Sequence, residues 1–196
     1  MKRLILVRHG QTEANLNRRL QGQSNGALTS KGEQQAEELA LHLKDMAIDR
    51  ILSSDLRRAE DTAAALAKHH DIKPITMHIL REWNCGKLDG LPAEALKDAL
   101  DQSNQPLPDF RPEGGETLRE VRQRAAAFLQ DVQSRYEELN VLVCSHGDFI
   151  RMLMSLLMQI EIEEANTIHL DNGSYSVFDQ DGNIWSVSAI NKVIHK

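Results

Sequence analysis

Leu4-Ile5-Leu6-Val7-Arg8-His9-Gly10 and Val141-Leu142-Val143-Cys144-Ser145-His146-Gly147 are two copies of one construction. In each, a short apolar run of strand length ends one residue before a His-Gly pair and then gives way to a helix-like pattern. Apolar runs of this kind, alternating with helical patterns, read as buried strands of a parallel sheet. In open α/β sheets, ligands bind outside the carboxyl ends of the strands. Two histidines delivered to that edge, one with an arginine before it, make a site for attacking and holding an anion.

Strand-like and helix-like segments alternate along the rest of the chain. Residues 30–46 predict a helix with Ala36, Leu39, Ala40 and Leu43 on one face and Ser30 with Glu33 as its capping box. A short strand is expected over 50–52, a helix over 55–70 and a third strand over 75–79. Thr117 and Glu120 form a second capping box, opening a helix to about Tyr136. Residues 148–158 predict a strongly apolar helix whose Met152, Met154 and Met158 belong to the core. Asp181-Gly182 between two alternating runs predicts a hairpin. The expected fold class is α/β, a three-layer α/β/α sandwich with a mostly parallel sheet and an antiparallel C-terminal portion, in one domain over 1–196. Pro106, Pro108, Pro112, Gly114 and Gly115 exclude a regular element from 104–116. That stretch is either a loop at the mouth of the site or a plain connection.

With 196 residues the chain is long enough to bury a core without staples. Its net charge of −6 argues against nucleic acid as a partner, because phosphate-backbone binding needs a basic surface. Any anion must be captured by a local arginine cluster. Two cysteines, Cys85 and Cys144, are too few for a disulfide framework, and Cys144 reads as a small core residue. The apolar run after Met1-Lys2-Arg3 is too short for a signal peptide, and no stretch approaches a membrane span. A cytoplasmic protein with no membrane partner is expected.

His9 stands out by its setting. Arg8 precedes it, Gly10 allows close backbone approach, and Thr12 and Asn15 open a short helix whose N-terminal amides favour an anion. Arginine suits bidentate contact with phosphate oxygens. Arg57 and Arg58 follow the second strand, and spacing alone leaves open which of them faces the strand ends. Glu82 stands beside Trp83. Against an indole face a carboxyl is poorly solvated and holds its proton near neutrality, as a general acid requires; the plainer reading is an exposed loop glutamate. P-loop, dinucleotide and zinc motifs are missing, so no cofactor and no metal are expected. Phosphoryl chemistry would then draw its charge stabilisation from Arg and His.

Arg8-His9-Gly10-Gln11-Thr12-Glu13-Ala14-Asn15 resembles the R-H-G-x-T-x-x-N signature of the histidine phosphatase superfamily, also called phosphoglycerate mutase-like. The resemblance continues through residues 28–32, through 53–62, through Glu82 to Gly90 spaced as E-x-x-x-G-x-x-x-G, and through 114–117 to Ser145-His146-Gly147. These segments come in the family's order and cover nearly the whole chain. The resemblance implies that His9 is the nucleophile of a phosphohistidine intermediate. Arg8, Arg58, His146 and Gly147 would hold the phosphoryl group, with Asn15 as a further contact and Gln21 and Gly22 near the rest of the substrate. Glu82 would protonate the leaving oxygen and later activate water. The family's arginine is the one before Ala59, which selects Arg58. Cys85 stands where similar sequences often carry an aromatic residue, which predicts a roomier pocket wall.

The resemblance implies a metal-independent phosphatase for a small phosphorylated metabolite, similar to broad-specificity, fructose-bisphosphatase-like and α-ribazole phosphatases. Two rivals share the fold: a cofactor-dependent phosphoglycerate mutase and a non-catalytic module that binds phosphorylated ligands. Similar mutases carry a longer, more basic insertion after the Glu82 motif, whereas 83–116 is a short cap whose basic residues are Lys87, Lys97 and Arg111. A binding module would be expected to have lost one of His9, Arg58, Glu82 or His146. The oligomeric state is not legible.

Overall fold

The computed structural model describes residues 1–194 and contains a six-stranded mixed sheet between layers of helices. Strands β1 (Arg3–Arg8), β2 (Arg50–Ser54), β3 (Ile75–Met77), β4 (Asn140–Ser145), β5 (Tyr175–Asp181) and β6 (Ile184–Lys192) lie in the order β3-β2-β4-β1-β5-β6. The first four pair in parallel, and β5 joins antiparallel to both β1 and β6. The expected parallel sheet with an antiparallel C-terminal hairpin is therefore present, with Gly182 at positive φ in the turn.

Alternation along the strands divides the core into two. Leu4, Leu6, Val141 and Val143 face one side, where they meet α5 (Leu118–Arg135) and α6 (Gly147–Met158) through Val121, Phe128, Phe149 and Leu153. Ile5, Val7, Leu142 and Cys144 face the other, against Leu39, Leu43, Ala63 and Leu66 of α2 (Ser30–Leu43) and α3 (Arg57–Ala67). Smaller helices complete the chain: α1 (Glu13–Leu16), α4 (Glu94–Ser103) and α7 (Ile162–Asn166). Among the described residues, no helix is long and apolar enough to cross a membrane.

Several boundaries differ from expectation. Thr29, not Ser30, caps α2: its side chain accepts from the Gly32 amide, so Ser30 is already the first helical residue. The expected 55–70 helix starts at Arg57, because Ser54 Oγ accepts from the Leu56 amide and Leu56 keeps an extended backbone. Strand β3 stops at Met77, and a 3₁₀ turn over His78–Leu80 replaces its last residues. Ser145 Oγ donates to the Leu80 carbonyl at 2.7 Å and draws this turn across the end of β4. The turn is what delivers residue 82 to the strand ends. Helix α4, before the Pro/Gly-rich stretch, had no counterpart among the expected elements. It has no fully buried residue, so its sequence carries only a weak core signal.

Candidate active site

Register brings the two His-Gly units together. Arg8 pairs with Ser145 across β1 and β4, and the His9 amide donates to the Ser145 carbonyl at 3.1 Å. The next residue of each strand is then a histidine, and the two rings sit with centroids 5.1 Å apart. Both are buried. The Gly10 backbone passes so close to Gly32 that a Cβ on Gly10 would land on the Gly32 carbonyl oxygen.

His9 Nδ1 lies 2.7 Å from the Gly10 carbonyl. A carbonyl only accepts, so Nδ1 carries the proton and Nε2 is left with a free lone pair. Burial, then Arg58 and Arg8, hold the His9 pKa well below the ordinary histidine value. The ring is therefore neutral at physiological pH, as a nucleophile must be. Arg8 reaches the same place from the end of β1, with one terminal nitrogen on the Leu170 carbonyl at 2.5 Å. Its Nε is buried without a hydrogen-bond partner among the described residues.

The open choice between the paired arginines is settled by geometry. Arg57 lies 67% exposed beside Asp61, while Arg58 is 0% exposed. Every nitrogen of the Arg58 guanidinium is held: Nε by His146 Nδ1 at 3.1 Å, Nη1 by the Ser24 carbonyl at 2.9 Å, and Nη2 by the Gly22 carbonyl at 2.7 Å. Burial lowers its pKa to about 10, which keeps it charged at neutral pH. Arg58 Nε is a donor, so His146 Nδ1 accepts, and His146 Nε2–H points to Ser54 Oγ at 2.8 Å. Burial first, and then Arg58, keep this second ring neutral as well. His146 is thus a brace for Arg58 as well as the neighbour of His9.

Glu82 is buried, as a general acid of this kind requires, and its carboxyl is held by main-chain amides. Its Oε1 accepts from the amides of Trp83, Asp148 and Phe149 at 2.9, 3.0 and 3.1 Å. The carboxyl therefore sits on the N-terminus of α6. The Trp83 indole N–H donates to the Glu116 carbonyl at 2.6 Å. Burial first, then the neighbouring Asp148, push the Glu82 pKa up to about 7. Oε1 takes three amides, while Oε2 has the longer share of the Asp148 amide at 3.3 Å, so Oε2 is the oxygen better placed to carry a proton. A Cβ on Gly147 would lie 3.7 Å from both Glu82 Oε2 and Arg8 Nε, so a side chain at 147 would intrude on the space these groups share.

The remaining expected residues take supporting positions. Asn15 completes a capping box with Thr12, and its Oδ1 also accepts from Asn172 Nδ2 at 3.0 Å. Its amide nitrogen is the part left for a ligand. Thr12 Oγ1 donates to Gln21 Oε1 at 2.7 Å, while Gly22 turns its carbonyl to Arg58. Cys85 lies beside the loop that holds Arg58. It is buried against Gly22, and burial pushes its thiol pKa up to about 12.

Four contributors were not foreseen. Arg124 of α5 donates to the carbonyls of Ile79 and Arg81 at 2.7 and 2.8 Å and to that of Glu82 at 3.3 Å, pinning the segment that carries Glu82. Asn172 donates to the His9 carbonyl at 3.1 Å, Ser54 holds His146, and Asp89 holds loop 22–24. Each acts on a residue more than 40 positions away, so no local pattern marks it.

The model of the histidine phosphatase superfamily (branch 1) matches residues 4–193. A protein of Shigella boydii named probable phosphoglycerate mutase GpmB is 33% identical over 192 residues, which is 96% of this chain and 89% of that protein. Among solved structures, a mycobacterial glucosyl-3-phosphoglycerate phosphatase bound to VO3 is 27% identical with a TM-score of 0.88, covering 97% of this chain and 99% of that one. A phosphoserine phosphatase of Entamoeba histolytica in complex with 3-phosphoglyceric acid is 28% identical with a TM-score of 0.88, covering 98% of each chain.

Proposed function

We propose that this chain, which belongs to the histidine phosphatase superfamily, is a phosphatase that hydrolyses small phosphate monoesters through a phosphohistidine on His9, without a metal. One observation carries the reading. A buried histidine with a free Nε2 lone pair shares its cleft with two charged arginines and with a carboxyl whose pKa stands near neutrality. The phosphatase relatives in the family agree with it.

In the first step His9 Nε2 attacks phosphorus, and the bond from phosphorus to the ester oxygen breaks. Arg8 and Arg58 meet the charge on the non-bridging oxygens, so no metal is called for. The Glu82 proton passes from Oε2 to the leaving alkoxide. In the second step the ionised Glu82 takes a proton from water. That water attacks phosphorus, the N–P bond breaks, and inorganic phosphate leaves with His9 neutral again. Asn15 Nδ2 and the amide of Gly147, at the start of α6, are further donors for the phosphoryl oxygens.

The names of the curated relatives support a second reading, a phosphoglycerate mutase. A mutase must grip a second anionic group and keep water from the phosphohistidine. In the cap, Lys87 is already paired with Glu113 and Arg111 with Glu120, which leaves Lys97 as the cap's one basic side chain outside such pairs among the described residues. Hydrolysis is favoured on that ground.

The test is phosphate release in EDTA from 3-phosphoglycerate, phosphoserine, sugar mono- and bisphosphates, α-ribazole phosphate and a phosphopeptide, alongside interconversion of the phosphoglycerates. Release without interconversion is expected. Interconversion faster than release would replace this reading with the mutase, and neither activity would leave a binding module.

A further inference from the structure

We propose that Asp89 is a positioning residue for phosphoryl transfer, acting on Arg58 through loop 22–24. The inference rests on the reading of Arg58 as a phosphate ligand. Both terminal nitrogens of that guanidinium are held by main-chain carbonyls of this loop, Gly22 and Ser24. The loop belongs to no helix or strand, and Ser24 is exposed. Something else must hold it in place.

Asp89 does so from the opposite edge of the same two residues. Its Oδ1 accepts from the Gly22 amide at 3.2 Å and from Ser24 Oγ at 2.8 Å, and its Oδ2 accepts from the Ser24 amide at 3.0 Å. One carboxylate therefore grips the N–H groups of the residues whose C=O groups grip Arg58. The N–H and C=O of one residue belong to successive peptide units, so the carboxylate acts by position: fixing both amides fixes the backbone of the two residues and so the aim of their carbonyls at Arg58. The negative charge of Asp89 also reaches Arg58, offsetting part of the burial that lowers its pKa.

The loop has little freedom on its other side. A Cβ on Gly22 would stand 2.7 Å from Cys85 Sγ and 3.0 Å from the Trp83 carbonyl. Gly90, at φ +81°, turns the chain directly after Asp89. Main-chain bonds from Gly90 to Leu20, from Leu20 to Leu91 and from Ala93 to Arg18, at 2.9, 2.8 and 2.9 Å, then zip the foot of the cap to residues 18–20. The foot of the cap and the loop behind Arg58 are one piece. A shift of the cap is thereby a shift of the arginine.

A double-mutant cycle tests this. The wild type, Asp89→Ala, Arg58→Ala and the double variant are compared by kcat and KM on one phosphate ester, by calorimetric binding of inorganic phosphate, and by Tm. Asp89→Ala is expected to lower kcat/KM by about 10- to 100-fold and to weaken phosphate binding, because small misplacements at a reacting centre cost that much. In the Arg58→Ala background the same change is expected to cost no more than about twofold, since the two residues act as one unit. Asp89→Asn keeps an acceptor for Gly22 but turns an NH2 toward the Ser24 amide, so it is expected to fall between. It replaces Asp89→Ala in the cycle if that variant does not fold. Additive losses, or an Asp89→Ala enzyme as active as wild type, would overturn the positioning role alone. A wild type that neither releases nor binds phosphate would overturn the reading of the site, and the role of Asp89 with it.

Discussion

The His9 and His146 rings lie 5.1 Å apart, tilted by 58°, and both are buried and neutral. Two protonated imidazoles could not share that space with Arg8 and Arg58. The cleft concentrates its positive charge on the guanidinium groups, which bind, and keeps it off the ring that attacks.

This division of labour fixes the pH profile of kcat/KM. His9 must be neutral and Glu82 protonated in the free enzyme. The acid limb is expected well below the ordinary histidine pKa of about 6.5, and the alkaline limb near 7, where Glu82 ionises. Initial rates in buffers spanning both limbs check this. A profile rising through neutrality would exclude Glu82 as the acid.

Glu82→Gln keeps the contacts to the α6 amides but has no proton to give. It is expected to lose about 10²- to 10⁴-fold in kcat on an alkyl phosphate. With p-nitrophenyl phosphate, whose leaving group needs no proton, the first step is expected to lose far less. A burst of nitrophenol from the variant, followed by slow dephosphorylation, is the expected signature in stopped flow.

Stability has its own pH dependence. The folded pKa of Glu82 is raised, so between the ordinary carboxyl value and about 7 the native state binds more protons than the unfolded chain. Stability therefore falls as pH rises through that window. Glu82→Gln removes this cost and is expected to have a higher Tm than wild type at pH about 8. A lower Tm there would contradict the assignment of the raised pKa.

Gly10→Ala places a methyl on the Gly32 carbonyl, a backbone atom that cannot move aside cheaply. A loss of about 3 kcal/mol or more is expected, at the upper end of overpacking costs, read as a drop in urea midpoint with the slope unchanged. The same change at Gly114 meets no atom within 4 Å, but its φ of +75° makes alanine strained there too, so a loss of about 1 kcal/mol is expected.

Arg124→Met leaves the carbonyls of Ile79 and Arg81 without their donor. About 2 kcal/mol of stability is expected to be lost, and kcat/KM about tenfold as the segment bearing Glu82 loosens. Calorimetry and kinetics on one preparation check both. Unchanged kinetics with lowered stability would make Arg124 a purely structural residue.

The strand–His–Gly units were legible because strand, turn and reactive side chain are contiguous, so local pattern alone places both histidines on the same edge. The hairpin at Asp181-Gly182 and the Thr117–Glu120 capping box were legible for the same reason. What spacing could not decide was the facing of Arg57 and Arg58, because adjacent helical residues differ by only about 100° and the deciding partners, Gly22, Ser24 and His146, come from two distant segments. The surroundings of Glu82 were only partly legible for a related cause. Trp83 is its neighbour in sequence and gives one amide, but the other two amides, of Asp148 and Phe149 in α6, lie some 66 positions away.

The central claim is that phosphorus becomes bonded to His9, and rapid alkaline quench of wild type and His9→Ala with a radiolabelled phosphate ester in EDTA tests it most directly. The account predicts protein-bound label in the wild type within one turnover, stable to base, lost on brief acid treatment, and missing from a folded His9→Ala variant that also releases no phosphate. A His9→Ala protein that hydrolyses the ester at a rate comparable to wild type would contradict it.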